Sequence, residues 1–214
     1  MRTGYGLVLA WPKTKCKQAD AWYDGLMTLL GFNKNGYYKV GHAALVLIDD
    51  QTKSCKYYDF GRYHSPFGYG RIRCEKTDFN LSISTKAVYS NGELNNAQEI
   101  LTELEKTRAT YGSGPVRFSN IRLNIKKSEN YIIKQQKRMF LPYGPFISKG
   151  TNCSRFVCNA LRAGNPKFLQ KLTLTFPLSL TPTPLWNLYA TYNPIASFNN
   201  DSSTKQNTCS TKPA

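Results

Sequence analysis

The sequence predicts an α+β fold in which a central antiparallel sheet packs against helices, and three observations carry that expectation. Apolar runs of strand length, rich in β-branched and aromatic residues, recur at 5–11, 37–48, 54–60, 71–74, 80–89 and 116–125. Other stretches space their apolar residues at helical intervals. The strands gather toward the middle of the chain and the helices toward its ends, rather than alternating one for one.

Taken in order, residues 5–11 alternate loosely and form a first strand. A helix is expected over 17–30, with Ala21, Trp22, Leu26, Leu29 and Leu30 at helical spacing and Gly31 closing it. A turn at 33–36 precedes the strongest strand, 37–48, whose Ala43-Ala44-Leu45-Val46-Leu47-Ile48 run is that of a strand covered on both faces. The polar turn Asp49-Asp50-Gln51-Thr52-Lys53 folds this strand back on 54–60 as a hairpin. Further strands follow at 71–74 and 80–89. A helix at 93–110 shows Ile100, Leu101 and Leu104 on one face, with Glu99 and Glu103 on a solvated one. Next come a strand at 116–125 and a helix from 128 to about 140. Thr151 is the expected cap of a helix carrying Phe156, Val157, Ala160 and Leu161, which Gly164 and Pro166 end. From Phe176 the prolines at 177, 182 and 184 predict an extended segment anchored by Trp186 and Tyr189.

Length and composition bound the organisation. The 214 residues, 41% hydrophobic and 13% aromatic, predict one globular catalytic domain over 1–196 and a disordered Ser/Thr/Asn-rich tail over 197–214. No apolar run approaches the ~20 residues that span a bilayer. The N-terminus lacks a sustained apolar core and a small-residue cleavage site, so the expectation is a cytoplasmic chain without signal peptide or transmembrane helix. Six cysteines, at 16, 55, 74, 153, 158 and 209, show no paired C-x-x-C spacing. Neither a zinc framework nor a disulfide scaffold is expected, and no metal or cofactor. A formal charge of +16 implies an anionic partner: an acidic envelope polymer, an anionic membrane surface or nucleic acid. The cations are dispersed and no nucleic-acid-binding motif is present, so charge alone leaves nucleic acid open.

The chemistry centres on Cys153. In the first turn of its helix, exposed backbone N–H groups and the helix dipole favour a thiolate. A thiolate nucleophile needs a base and the base an orienting group, and the chain has two histidines. His42 leads the strongest strand. A hairpin turn centred near Asp50-Gln51 would set His42 opposite Asp59, close enough to hold the imidazole Nδ1–H, whereas a slip of one residue would turn Asp59 to the other face. His64 is the alternative third member. Cys16, among Lys13, Lys15 and Lys17, is the rival nucleophile, although it lies close to His42 in sequence and lacks the pattern that surrounds Cys153.

Gly41-His42-Ala43-Ala44-Leu45-Val46-Leu47, followed by Asn152-Cys153-Ser154-Arg155-Phe156-Val157, resembles the NlpC-type papain-like superfamily of cysteine hydrolases. Because His42 precedes Cys153, the order resembles the permuted branch that includes lecithin:retinol acyltransferase-like proteins. The chain also resembles Bacteroidetes-type proteins, which adds no chemistry. The resemblance implies a permuted papain-like fold with the nucleophile Cys153 at a helix N-terminus, His42 as base and Asp59 as the polar third residue. Tyr143, ahead of the cysteine, would line the cleft. It implies acyl transfer through a thioester, on peptide amides such as cell-wall stems or on acyl lipids. A non-enzymatic basic nucleic-acid-binding domain is the competing expectation.

Overall fold

The computed structural model describes residues 1–18, 21–107 and 109–192; the expected tail at 197–214 lies outside them. In chain order the elements are β1 (Gly4–Trp11), β2 (Cys16–Lys17), α1 (Asp24–Leu29), β3 (Asn33–Lys34), β4 (Tyr37–Tyr38), β5 (His42–Asp49), β6 (Cys55–Gly61) and β7 (Tyr69–Arg73). A 3₁₀ turn (Phe79–Leu81), β8 (Tyr89–Ser90), β9 (Glu93–Leu94), α2 (Ala97–Lys106), β10 (Arg117–Leu123) and α3 (Ile125–Gln136) follow. The last are β11 (Leu141–Pro142), α4 (Cys153–Ala163), α5 (Phe168–Thr175) and α6 (Pro184–Thr191).

Six strands form one sheet in the order β10-β1-β5-β6-β7-β11, every neighbour antiparallel. The runs of β1 and β5 are continuous because both faces are covered. On one face Val8, Leu45 and Leu47 pack with Phe156, Val157 and Leu161 of α4 and Ile132 of α3. On the other, Leu7, Leu9, Val46 and Ile48 pack with Ile100, Leu101 and Leu104 of α2. Each large side chain so buried stabilises the fold by roughly 1.5–3 kcal/mol. Helix α4 lies close against the sheet: a Cβ on Gly6 would stand 2.7 Å from Leu123 and 3.3 Å from Leu161.

Four expectations are corrected. The strand foreseen over 37–48 is broken at Lys39-Val40-Gly41, where Gly41 takes a φ of 73°, and β4 leaves to pair with β2 and β3 in a small sheet of its own. The helix foreseen over 17–30 shrinks to α1. Lys17 is in β2, the Asp24 carboxylate accepts the Ala21 N–H at 2.9 Å before the helix begins, and Trp22, Leu26, Leu29 and Leu30 face solvent. The strand foreseen over 80–89 has no partner strand before Tyr89. Its Ser84 and Thr85 amides donate instead to the Glu103 carboxylate at 2.7 and 2.8 Å. Burial would raise the Glu103 pKa, but the Ser84 and Thr85 donors outweigh it and hold the group at about 2. Finally, the proline-rich C-terminal part folds back into helix: Pro184 occupies the first turn of α6, and the Thr183 hydroxyl caps it by accepting the Trp186 N–H at 3.0 Å.

Candidate active site

The first turn of α4 is fixed from three sides. Asn152, rather than Thr151, is the cap, its side-chain oxygen accepting the Arg155 N–H at 2.8 Å. The Arg155 guanidinium donates to Pro145 O at 2.5 Å and Gly150 O at 3.3 Å, tying down the incoming loop. Asn187 of α6, wholly buried, donates to Ser154 O at 2.9 Å. Cys153 is thereby held at the helix start, 7% exposed.

His42 comes from the other side of the sheet's end. Gly41 allows the chain to enter β5 beneath Trp11, since a Cβ there would meet Trp11 O at 3.0 Å in a left-handed conformation. The His42 ring lies on the Trp11 indole, centroids 5.7 Å apart, and the indole is backed by Gly112, where a Cβ would stand 2.3 Å from the ring.

The hairpin register differs from expectation by two residues: Asp59 pairs with Ala44, not His42. The cause is the turn. Asp49 O accepts the Lys53 N–H at 2.9 Å, the Asp49 carboxylate accepts the Gln51 and Thr52 amides, and Lys53 adopts a φ of 59°. This centres the loop one residue later. A slip of two keeps every side chain on its face, so Asp59 reaches His42 diagonally, Oδ2 to Nε2 at 3.2 Å. The facing nitrogen is thus Nε2 rather than Nδ1.

Asp59 has no exposed surface. Arg73, its β7 neighbour in register, donates from Nε and Nη2 at 3.0 and 2.5 Å. The Tyr57 hydroxyl adds a donor at 3.0 Å. The Tyr63 hydroxyl stands 3.2 Å from both Asp59 Oδ2 and His42 Nε2, and the Arg73 guanidinium lies 3.6 Å above the Tyr63 ring.

Electrostatics follow from these contacts. Burial would drive the Cys153 thiol up, but hydrogen bonding to His42, the imidazolium charge and the Ala43 N–H together bring it below its ordinary value. Burial would likewise lower His42, yet Asp59 and the thiolate raise it to about 9. Asp59, despite burial, is held below the usual carboxylate range by His42 and Arg73. Both shifts favour the thiolate–imidazolium form of the pair over the neutral one.

Tyr143, expected at the cleft, lines the cavity beside Cys153 and His42, its ring stacked on Phe60 at 5.7 Å. Cys16 stands on the same cavity wall, its Sγ 3.6 Å from the Tyr143 hydroxyl and 3.6 Å from Arg62 Nη2. His64 is exposed, in a left-handed conformation, and is not brought to Asp59 or Cys153. Arg73, Tyr63, Trp11 and Asn187 escaped the sequence reading; only the strand neighbourhood of Asp59 signals Arg73. Among the described residues no group of three or more His, Cys, Asp or Glu is placed to hold a metal ion.

Residues 6–167 match the model of the family described as type VI secretion system effector, TseH-like. The chain belongs to the TseH-like effector family. The matched span of this TseH-like chain contains Cys153, His42 and Asp59. Its structure is similar to the crystal structure of the type VI secretion system effector TseH, with a TM-score of 0.54 and 15% identity over 89% of this chain and 88% of that one. At that identity the likeness is one of fold. No curated protein matches the sequence.

Proposed function

We infer that this TseH-like chain is a type VI effector that acts as a cysteine hydrolase of the permuted papain-like kind, cleaving amide bonds such as those of cell-wall peptides. The observation that carries this reading is the thiol of Cys153 at a helix N-terminus, on the same cavity as a histidine whose Nε2 faces a buried carboxylate. In the proposed reaction the Cys153 thiolate attacks the amide carbon. The backbone N–H groups opening α4 stabilise the oxyanion. As the C–N bond breaks, the His42 imidazolium gives its proton to the departing amine, leaving a Cys153 thioester. Neutral His42 then takes a proton from water, hydroxide displaces the thiolate, and the carboxylic acid product leaves.

Two measurements test it. A thiol-directed probe at neutral pH is expected to label Cys153 rapidly in the parent and slowly in His42→Ala; equal, slow labelling of both would overturn the reading. Digestion of purified cell wall should release peptide fragments in a Cys153-dependent manner. The apolar groove beside Cys153, walled by Tyr23, Met27, Val40, Pro182 and Pro184, favours a second reading, thioesterase or acyltransferase action on an acyl lipid. Release of fatty acid in place of peptide would select it. A nucleic-acid-binding role alone would leave the thiol unreactive.

A further inference from the structure

The groove that reaches Cys153 is bordered by two surfaces with an unusual exposure pattern. One is the small lobe of β2, α1, β3 and β4. It contributes Tyr23, Met27, Tyr38 and Val40 to the groove, yet turns Trp22 (75% exposed), Leu26 (55%), Leu29 (83%), Leu30 (58%) and Phe32 (62%) to solvent. The other is the segment between α5 and α6. It contributes Thr181, Pro182 and Thr183 to the same groove and exposes Leu178 and Leu180 almost fully, at 91% and 90%. An apolar rim of this kind, adjoining a cavity, marks an interaction site.

Charge says which partner suits it. Lys15, Lys17, Lys34 and Lys39, in or flanking this lobe, are all exposed. Of its two aspartates, Asp24 is buried, accepting from the Tyr38 hydroxyl and the Ala21 N–H, and Asp20 lies outside the described residues. Exposed aromatic and leucine side chains framed by lysines match the two layers of a bilayer surface, acyl chains below and anionic headgroups at the level of the cations. A second copy of the chain would bring the same lysines face to face, against the association. We propose that the rim of the Cys153 groove docks on an anionic phospholipid membrane, with the mouth of the groove at the lipid surface. This docking does not depend on the thiol's chemistry, so Cys153→Ala is the test protein and failure of one reading leaves the other intact.

The experiment is co-sedimentation of the full Cys153→Ala chain with vesicles of phosphatidylcholine alone or mixed with phosphatidylglycerol. Binding is expected to the mixed vesicles, weakened by salt, with a blue shift of tryptophan emission that Trp22→Phe removes. Adding Leu26→Glu and Leu29→Glu should cut the bound fraction by about tenfold or more, with an unchanged thermal transition because both side chains are more than half exposed. Adding Lys34→Glu and Lys39→Glu should weaken binding and reduce its salt dependence. No binding to mixed vesicles at low salt, or full binding by the Leu26→Glu, Leu29→Glu chain, would overturn the proposal. So would a vesicle-inert protein that sediments as a dimer and becomes monomeric in that variant, which would assign the rim to self-association.

Discussion

At the scale of single residues, the distinctive feature is that Asp59 sits in the fork of a buried arginine. Both its oxygens are engaged by Arg73, so the carboxylate stays ionised; in the proposed reaction its role toward His42 is orientation and charge, not proton uptake. The thiol's acidity should report that chain of dependence. In the parent, the rate of alkylation against pH should inflect below the ordinary thiol value, because the imidazolium stabilises the thiolate. Asp59→Asn removes the charge that helps raise His42 to about 9, so the ring loses its proton more readily and the thiol pKa rises. An upward move of the inflection by about 1 pH unit or more is expected; an unmoved inflection would mean that Asp59 does not act through His42. Arg73→Met leaves a buried carboxylate with its strongest partner gone, and should cost about 3–5 kcal/mol of stability, measured by urea unfolding. The Arg73 guanidinium also covers the Tyr63 and Tyr111 rings, so Arg73→Lys, which keeps the charge but loses the fork and the flat stack, should restore only part of that loss.

At the scale of elements, the site is the meeting of a helix cap, a strand start and a hairpin, and these differ in how far the sequence reveals them. The α4 start was legible because a capping side chain, a cysteine and an apolar stripe follow one another locally. Which of Thr151 and Asn152 caps was not, since that depends on the backbone angles of two neighbours. Asn152→Ala should lower stability by about 1 kcal/mol and slow Cys153 labelling, as the first turn frays; a change in the urea midpoint without slower labelling would separate the cap from the site. The pairing of His42 with Asp59 was foreseen on the right face with the register two residues off, because the left-handed Lys53 that sets the turn has no mark in a lysine codeword. Arg73 stayed hidden for a different reason: β7 brings it to Asp59 only through strand order, which periodicity does not encode. The lobe around α1 misled in the opposite direction. Its apolar spacing reads as one helix over 17–30, but periodicity shows that a helix has an apolar side, not what that side meets or where the helix starts.

At the scale of the whole molecule, the site is assembled across the chain. His42 and Asp59 belong to β5 and β6 in the N-terminal part, while Cys153 opens α4 on the other side of α2, β10 and α3. Its geometry therefore exists only when the six-stranded sheet is assembled and α4 is seated on it. The other buried thiols give an internal contrast. Burial pushes Cys55 and Cys158 up to about 11, and Cys158 is further committed as a donor to Leu174 O at 3.0 Å. In the native protein a short pulse of alkylating reagent at pH 7 should thus modify Cys153 quickly and spare Cys55 and Cys158. Unfolding should reverse the order of change: Cys153 loses the imidazolium that activates it and slows, while Cys55 and Cys158 lose their burial and speed up. Because one sheet underlies both effects, the two changes, read peptide by peptide by mass spectrometry, should share a single urea midpoint with the change in tryptophan emission, to which buried Trp11 contributes. If Cys153 slowed at a clearly lower urea concentration than Cys55 and Cys158 became reactive, α4 would be leaving the sheet as a separate unit, and the activated thiol would belong to a local rather than a global closure of the fold.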